Sequence, residues 1–382
     1  MRRRVLLFIF LAAPIISTYA QGISYRDCAD LKDSVSTAYS AFEEEQENGF
    51  LAEIGIKKYD EKRKYVSLNT FFQQGLALIN IDCTTSDERQ DIIDKMNKDI
   101  TELLAGGIYF YNEKDYDKAI ECFSIYASFC RLEIATPENR QSEYILQAEY
   151  YAIVTSIVNA DNHQRTISLL ESLIQSSPEK SDFYELKDLY YFLADEYQKV
   201  GNESRLIAVM EAAMSRLPKE KSYFTAIVVN YYMTVGNNNK AIEYLEKLIK
   251  KTRKRSCEYA EYLNMKANLY VHQKDYKTAE GLYKKGLKKH PDNEPLTEGL
   301  GVMCAMHAQD LKEANNDELN DEIIRYYKEG AKLLEKYRSL LAARNADSVD
   351  QRRALGYLQN IYYNLKMFEE FEAIDKLLDS LN

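Results

Sequence analysis

Proline and glycine are scarce: six and fourteen in 382 residues. A sheet protein with many tight turns needs more of both, so the scarcity favours long helices. Tryptophan is absent and there are only four histidines, His163, His272, His290 and His307. No histidine stands beside another His, Cys or Glu at metal-ligand spacing, and HExxH is missing. GxxxxGK[ST], GxGxxG and GxSxG are missing too, so no motif for nucleotide cradling or serine catalysis is present. No cofactor and no metal are expected, and no catalytic residue is assigned. Cysteine is sparse, at six, with no repeating spacing. Cys122 and Cys130 are eight apart on one expected helix, roughly 12 Å along the axis, too far for a disulfide. Cys28 with Cys83 is the one pair considered, and the rest are expected as buried thiols.

Positive charge is in deficit, with a formal net charge of -10. An acidic chain repels phosphate backbones, which argues against nucleic acid as a partner. Long apolar runs are also lacking beyond the start. Arg2, Arg3 and Arg4 precede an apolar run, Val5 to Ile16, and Thr18-Tyr19-Ala20 ends in a small residue. Residues 1–20 therefore read as a secretory signal peptide cleaved near Ala20. The run is shorter than the roughly 20 residues of a membrane span. Without it no integral membrane segment is expected, and the mature chain is expected in the periplasm or cell envelope, or secreted.

What is abundant is tyrosine, 31 residues, and amphipathic helical spacing. From 23 to 99 the periodicity predicts a helix over 27–46 stopped by Asn48-Gly49, then helices over 54–65 and 68–81. The pattern Thr85-x-x-Glu88 has the form of a capping box. The helix it opens carries Ile92, Ile93, Met96, Ile100, Leu103 and Leu104 and is expected to run on without a break past residue 100. Residues 21–99 read as an N-terminal helical cap region.

From residue 100 a repeating figure emerges. Gly107, Phe110, a polar break at 112–115, Tyr116, Ala119 and Phe123 return as Ala267, Tyr270, Lys274-Asp275, Tyr276, Ala279 and Tyr283. Aligned turns give units of about 34 residues at 100–133, 147–180, 187–220, 222–255 and 260–293. The last fits best, with Gly286 and Pro291 also in place. Others are looser: 147–180 offers Val154, Thr166, Leu170 and Pro178, and 100–133 has Tyr126 where Gly286 stands in 260–293. Residues 294–382 read as stretched repeats and a cap: a helix from Leu300-Gly301 to Ala314, a long one over 318–343, and a hairpin over 353–364 and 369–381.

This figure resembles the tetratricopeptide repeat family. The resemblance implies an all-α fold: an α-solenoid of helix-turn-helix repeats forming a right-handed superhelix, whose inner face, built from the first helix of each repeat, receives another protein or an extended peptide. Carried over, that face comprises Tyr151, Thr155 and Val158; Asp188, Tyr191, Asp195 and Gln198; Tyr223, Asn230 and Met233; and Asn264, Asn268 and Val271. The basic residues with which chaperone-binding members clamp a terminal carboxylate are absent: Tyr191-Phe192, Ala226-Ile227 and Asn264-Met265 stand there. The expected function is a non-catalytic protein- or peptide-binding scaffold of the bacterial cell envelope. The alternative is a carbohydrate- or envelope-polymer-binding accessory protein using exposed Tyr, and an enzyme with a spatially assembled site comes third.

Two smaller features stand apart. Lys250, Lys251, Arg253, Lys254 and Arg255 either complement a helix C-terminus or dock an acidic partner or a lipid headgroup. Asp33-Ser34-Val35 and Asp347-Ser348-Val349 resemble a short O-glycosylation site of exported Gram-negative proteins.

Overall fold

A computed structural model describes residues 25–381 other than 54 and 82; the expected signal peptide lies outside them. The helices are α1 (Tyr25–Glu53), α2 (Glu61–Ile79), α3 (Ser86–Asp99), α4 (Glu102–Asn112), α5 (Tyr116–Cys130), α6 (Ser142–Asn159), α7 (His163–Ser176), α8 (Leu186–Lys199) and α9 (Glu203–Arg216). They continue as α10 (Lys221–Thr234), α11 (Asn238–Lys251), α12 (Cys257–His272), α13 (Tyr276–Leu287), α14 (Glu294–Ala314), α15 (Asp321–Ala343), α16 (Ser348–Asn364) and α17 (Phe368–Ser380). No strand occurs among the described residues, and the fold is an all-α solenoid. Two compact units divide the chain, Met1–Val209 and Met210–Asn382.

In each unit a helix packs chiefly on its sequence neighbours. In the second unit α10 also touches α12, and α12 touches α14, so the first helices of successive hairpins form a continuous row. One hairpin cannot bury its apolar stripe alone, and stacking supplies the missing cover.

Five hairpin turns share one geometry, and α6–α7 departs from it, with left-handed Ala160 donating its N–H to the Ser156 carbonyl four residues back. At Asp115, Asn202, Asn237, Asp275 and Met367 the backbone N–H donates to the carbonyl five residues back, on Phe110, Tyr197, Tyr232, Tyr270 and Tyr362, at 2.8–2.9 Å. The residue before each donor is left-handed: Lys114, Gly201, Gly236, Lys274 and Lys366. This closure satisfies the carbonyls at the end of the first helix. The next residue then opens the second helix. Asn202, Asn237 and Asp275 accept from the backbone N–H three residues on, at 3.1–3.2 Å. One short polar turn thereby ends one helix and caps the next.

The core of the first unit is aromatic. Tyr39, Phe71, Phe72 and Phe129 contact in series, with ring centroids 4.7, 5.4 and 5.7 Å apart. In the second unit Phe224, Tyr259, Tyr283 and Tyr327 are fully buried. Small residues allow the close approach. A Cβ on Gly107 would lie 2.4 Å from Phe123, and one on Gly286 would lie 2.5 Å from Leu296 of the next hairpin.

The N-terminal region departs from the expected helices. Asn48-Gly49 does not end α1, which runs to Glu53. Buried Glu45 ties this end down, accepting from Arg63 Nη1 at 2.7 Å and from the Asp60 N–H at 3.1 Å, and these contacts outweigh the weak propensity of Gly49. The two helices expected over 54–81 are one, α2, because Asp60 caps it and Tyr65, Leu68, Phe72, Leu76 and Ile79 form one buried stripe. The capping box at Thr85 and Glu88 is present, with hydrogen bonds of 3.2 and 2.8 Å. The helix it opens stops at Asp99, where three-residue turns at Leu103 and Leu104 interrupt it before α4. Further on, α14 begins at Glu294 rather than near Leu300, since Asn293 accepts from the Leu296 N–H. α16 begins at Ser348, capped by Asp347.

Cys28 of α1 and Cys83 of the loop before α3 form a disulfide, with Cα atoms 5.9 Å apart. Cys122, Cys130 and Cys304 are buried thiols whose pKa burial raises. Cys257 is exposed, contrary to expectation, because it is the first residue of α12 and lies outside the packed stripe.

Candidate functional site

In the first unit part of the expected inner face is used by the protein itself. Tyr151 is half-buried, with its ring 5.5 Å from Phe123 and its hydroxyl accepting from Gln147 at 3.0 Å. Thr155 is buried, and its hydroxyl donates to the Tyr151 carbonyl at 2.7 Å. It does not present to solvent, because its place on α6 turns toward the core. Asp195 is paired with Lys199 at 2.8 Å. Asp188 is half-buried. Val158, Tyr191 and Gln198 are exposed.

The second unit leaves more open. Tyr223 and Asn230, seven apart, lie on one side of α10 and are exposed; Met233 is half-buried. On α12, Asn268 is exposed and its Oδ1 accepts from the Tyr283 hydroxyl. Val271 is buried and drops out of the face, since it packs into the hydrophobic core of this unit. Asn264 is half-buried, and its Oδ1 is sealed without a hydrogen-bond partner. Gly299 of α14 explains the sealing: a Cβ there would be 3.0 Å from that oxygen and 2.6 Å from Tyr283. An unpartnered buried acceptor costs about 1–3 kcal/mol, and native cores keep few of them. Among the described residues no protein hydrogen bond engages the Nδ2 donors of Asn230, Asn264 or Asn268.

Spacing marks Tyr283 only as a repeat residue and gives no sign of Gly299, yet the two hold the amides of α12 in place. Their signal is a steric one, visible only once α12, α13 and α14 are stacked.

Elsewhere, two clefts lie in the first unit. One, about 260 Å³, is lined by Lys32, Tyr39, Phe71, Glu88 and Lys95 among others. Its amines are already engaged, Lys32 with Glu88 at 2.8 Å and Lys95 with Asp91 at 2.7 Å. The other, about 440 Å³, is shallow and includes Asp33 and Ser34. No group of three or more His, Cys, Asp or Glu able to hold a metal occurs among the described residues. No described helix is long and apolar enough to cross a membrane.

A family model described as the second ARM domain of tetratricopeptide repeat protein 21 matches residues 204–361. No curated protein sequence matches the chain. Similar solved structures include the C-terminal part of a TPR repeat-containing protein from Cytophaga hutchinsonii, 17% identical over 67% of this chain and 93% of that one, with a TM-score of 0.34. A tetratricopeptide repeat protein from Parabacteroides merdae is 15% identical over 74% and 99%, TM-score 0.31. A human IFIT1 dimer with m7Gppp-AAAA is 11% identical over 97% and 77%, TM-score 0.39. With its capped helical hairpins and the matching model, the chain is a tetratricopeptide-like helical-repeat protein.

Proposed function

We propose that this protein is a non-catalytic adaptor that holds an extended segment of another protein along α10 and α12. Tetratricopeptide-like folds commonly bind proteins on stacked helices. The observation that carries the proposal is the set of three carboxamides, Asn230, Asn264 and Asn268, whose N–H donors the protein leaves unused. A peptide backbone offers a carbonyl at every residue, and an amide donor matches it without demanding a particular sequence. The exposed ring of Tyr223 adds apolar contact with a polar tip. The cost of sealing Asn264 Oδ1 fits a position kept for binding at the expense of stability.

We further propose that it works in the periplasm or cell envelope. Arg2–Arg4, the apolar run Val5–Ile16 and the small residue Ala20 support export. Fractionation, with N-terminal sequencing of the mature chain, tests this; a start near Gln21 is expected.

The binding test is cross-linked capture from envelope extracts with the full chain and with Asn230→Ala/Tyr223→Ala. A protein partner retained by the parent and weakened about thirtyfold in the variant is expected, since each of the two lost contacts is worth about 1 kcal/mol. Recovery of glycans without protein would sink the adaptor reading and favour envelope-polymer binding.

A further inference from the structure

The basic run at 250–255 is half of a larger surface. Lys250 and Lys251 end α11, and Arg253, Lys254 and Arg255 follow in the loop to α12. On the next hairpin, Lys285 lies in the last turn of α13, and Lys288 and Lys289 follow it. The two loops meet: His290 Nε2 is 3.1 Å from the Lys254 carbonyl oxygen. All eight cationic side chains are exposed, and among the described residues none of them forms an ion pair. This contrasts with their neighbours. Lys266 is paired with Glu246, Lys284 with Glu280, and Lys336 with Asp292.

Helix C-termini account for part of this charge only. The dipole acts within the last turn. Arg253, Lys254, Arg255, Lys288 and Lys289 lie beyond the helix ends, where they repel one another for no internal gain. In a chain of net charge -10, eight unpaired cations at one end of two adjacent hairpins amount to a strong local reversal of field.

We propose that this surface docks the second unit on an anionic lipid membrane. Three properties favour a lipid surface over a shaped partner. The charges stand on exposed loops and helix ends, and none of them lines either cleft described above. Six of the eight are Lys, a flexible point charge, where planar bidentate recognition of a carboxylate or phosphate would favour Arg. Residues 250–256 and 284–291 contain no aromatic side chain apart from the His290 imidazole, so no stacking platform for single-stranded nucleic acid accompanies the charge. Juxtaposed Lys and Arg are attracted to anionic headgroups whatever their arrangement. None of the eight cations lies on α10 or α12, and neither reading depends on the other.

The test is cosedimentation of the full chain with phosphatidylcholine vesicles with and without phosphatidylglycerol. The parent is expected to bind only the anionic vesicles, and to be released when salt rises from about 50 to about 500 mM. Lys250→Gln/Lys254→Gln/Lys288→Gln/Lys289→Gln, checked for unchanged helical signal, is expected to bind at least about tenfold more weakly. Lys57→Gln/Lys58→Gln/Lys62→Gln, on exposed residues of the first unit, is expected to bind like the parent. Equal binding by parent and quadruple variant overturns the proposal. So does binding of poly-glutamate without binding of anionic vesicles, which would make the partner an acidic protein.

Discussion

Gly107 sits where α4 crosses α5, and Phe123, only 2% exposed, occupies the space a side chain would need. Gly107→Ala places a Cβ 2.4–2.7 Å from three ring carbons, so the buried ring must shift to admit it. Overpacking of this kind costs about 1–3 kcal/mol, so a matching loss in chemical unfolding is expected. Gly281→Ala, with open space around its Cβ, is expected to cost nothing and serves as the control. A second residue effect concerns acid. His307 lies between Tyr276 and Tyr326, with ring centroids 4.4 Å away on both sides. Burial pushes its pKa down; Arg325 adds to this, while Glu322, Asp310 and Glu280 oppose it. The unfolded chain therefore binds the proton more readily than the folded one. The stability associated with neutral His307 is full above the ordinary imidazole value near 6.5 and is lost as pH falls below it toward the folded value. The unfolding midpoint of the parent is expected to fall between about pH 7.5 and about pH 5.5, and that of His307→Phe to fall less.

At the scale of the helical hairpin, the same turn is built with two chemistries. Gly201 and Gly236 adopt the left-handed conformation freely, whereas Lys114 (φ 62°) and Lys274 (φ 60°) adopt it against the clash of their Cβ atoms. The hydrogen bonds closing these turns are equally good, 2.9 Å at both Asp115 and Asp275, so the geometry is held by the hairpin and not by the turn residue. A left-handed non-glycine residue costs about 1–2 kcal/mol, and glycine loses about 0.4–1 kcal/mol through the freedom of the unfolded chain. Lys114→Gly is therefore expected to stabilise the first unit by about 0.5 kcal/mol, read as a shift in denaturant midpoint with unchanged slope. A loss of stability would mean that the Lys114 side chain contributes more than its backbone costs.

Across the whole molecule, stability in a repeat chain is a sum of local terms between neighbours, so its ends need separate support. Here the support at the start is covalent. The Cys28–Cys83 disulfide closes a loop spanning 55 residues and ties α1 to the loop before α3. Chain-entropy arguments assign a loop of that length about 4 kcal/mol, with measured values of about 2–5 kcal/mol for native bridges. Cys28→Ser/Cys83→Ser is expected to lower the unfolding temperature of the first unit in thermal scans. The second unit, whose Cys257 and Cys304 are free, is expected to be insensitive to reductant. A disulfide in the folded chain also fits an oxidising compartment, in line with the proposed export.

Composition and spacing alone determined that the chain is helical and built of hairpins with polar turns between them. These properties are local: a buried stripe every three to four residues and a polar turn can be read along the chain. Stacking decided the rest. Whether Asn48-Gly49 ends a helix depended on Glu45 reaching Arg63, which is distant in sequence. Thr155 and Val271 occupy inner-face places yet are buried, because neighbouring helices cover them. Lys250–Arg255 has the pattern of a single helix end; Lys285, Lys288 and Lys289 join it because the loops after α11 and α13 meet where His290 contacts the Lys254 carbonyl. A repeat announces its own fold, since each copy carries the same local code. Which side chains meet across copies is a property of their packing, and in this protein both candidate surfaces are made that way.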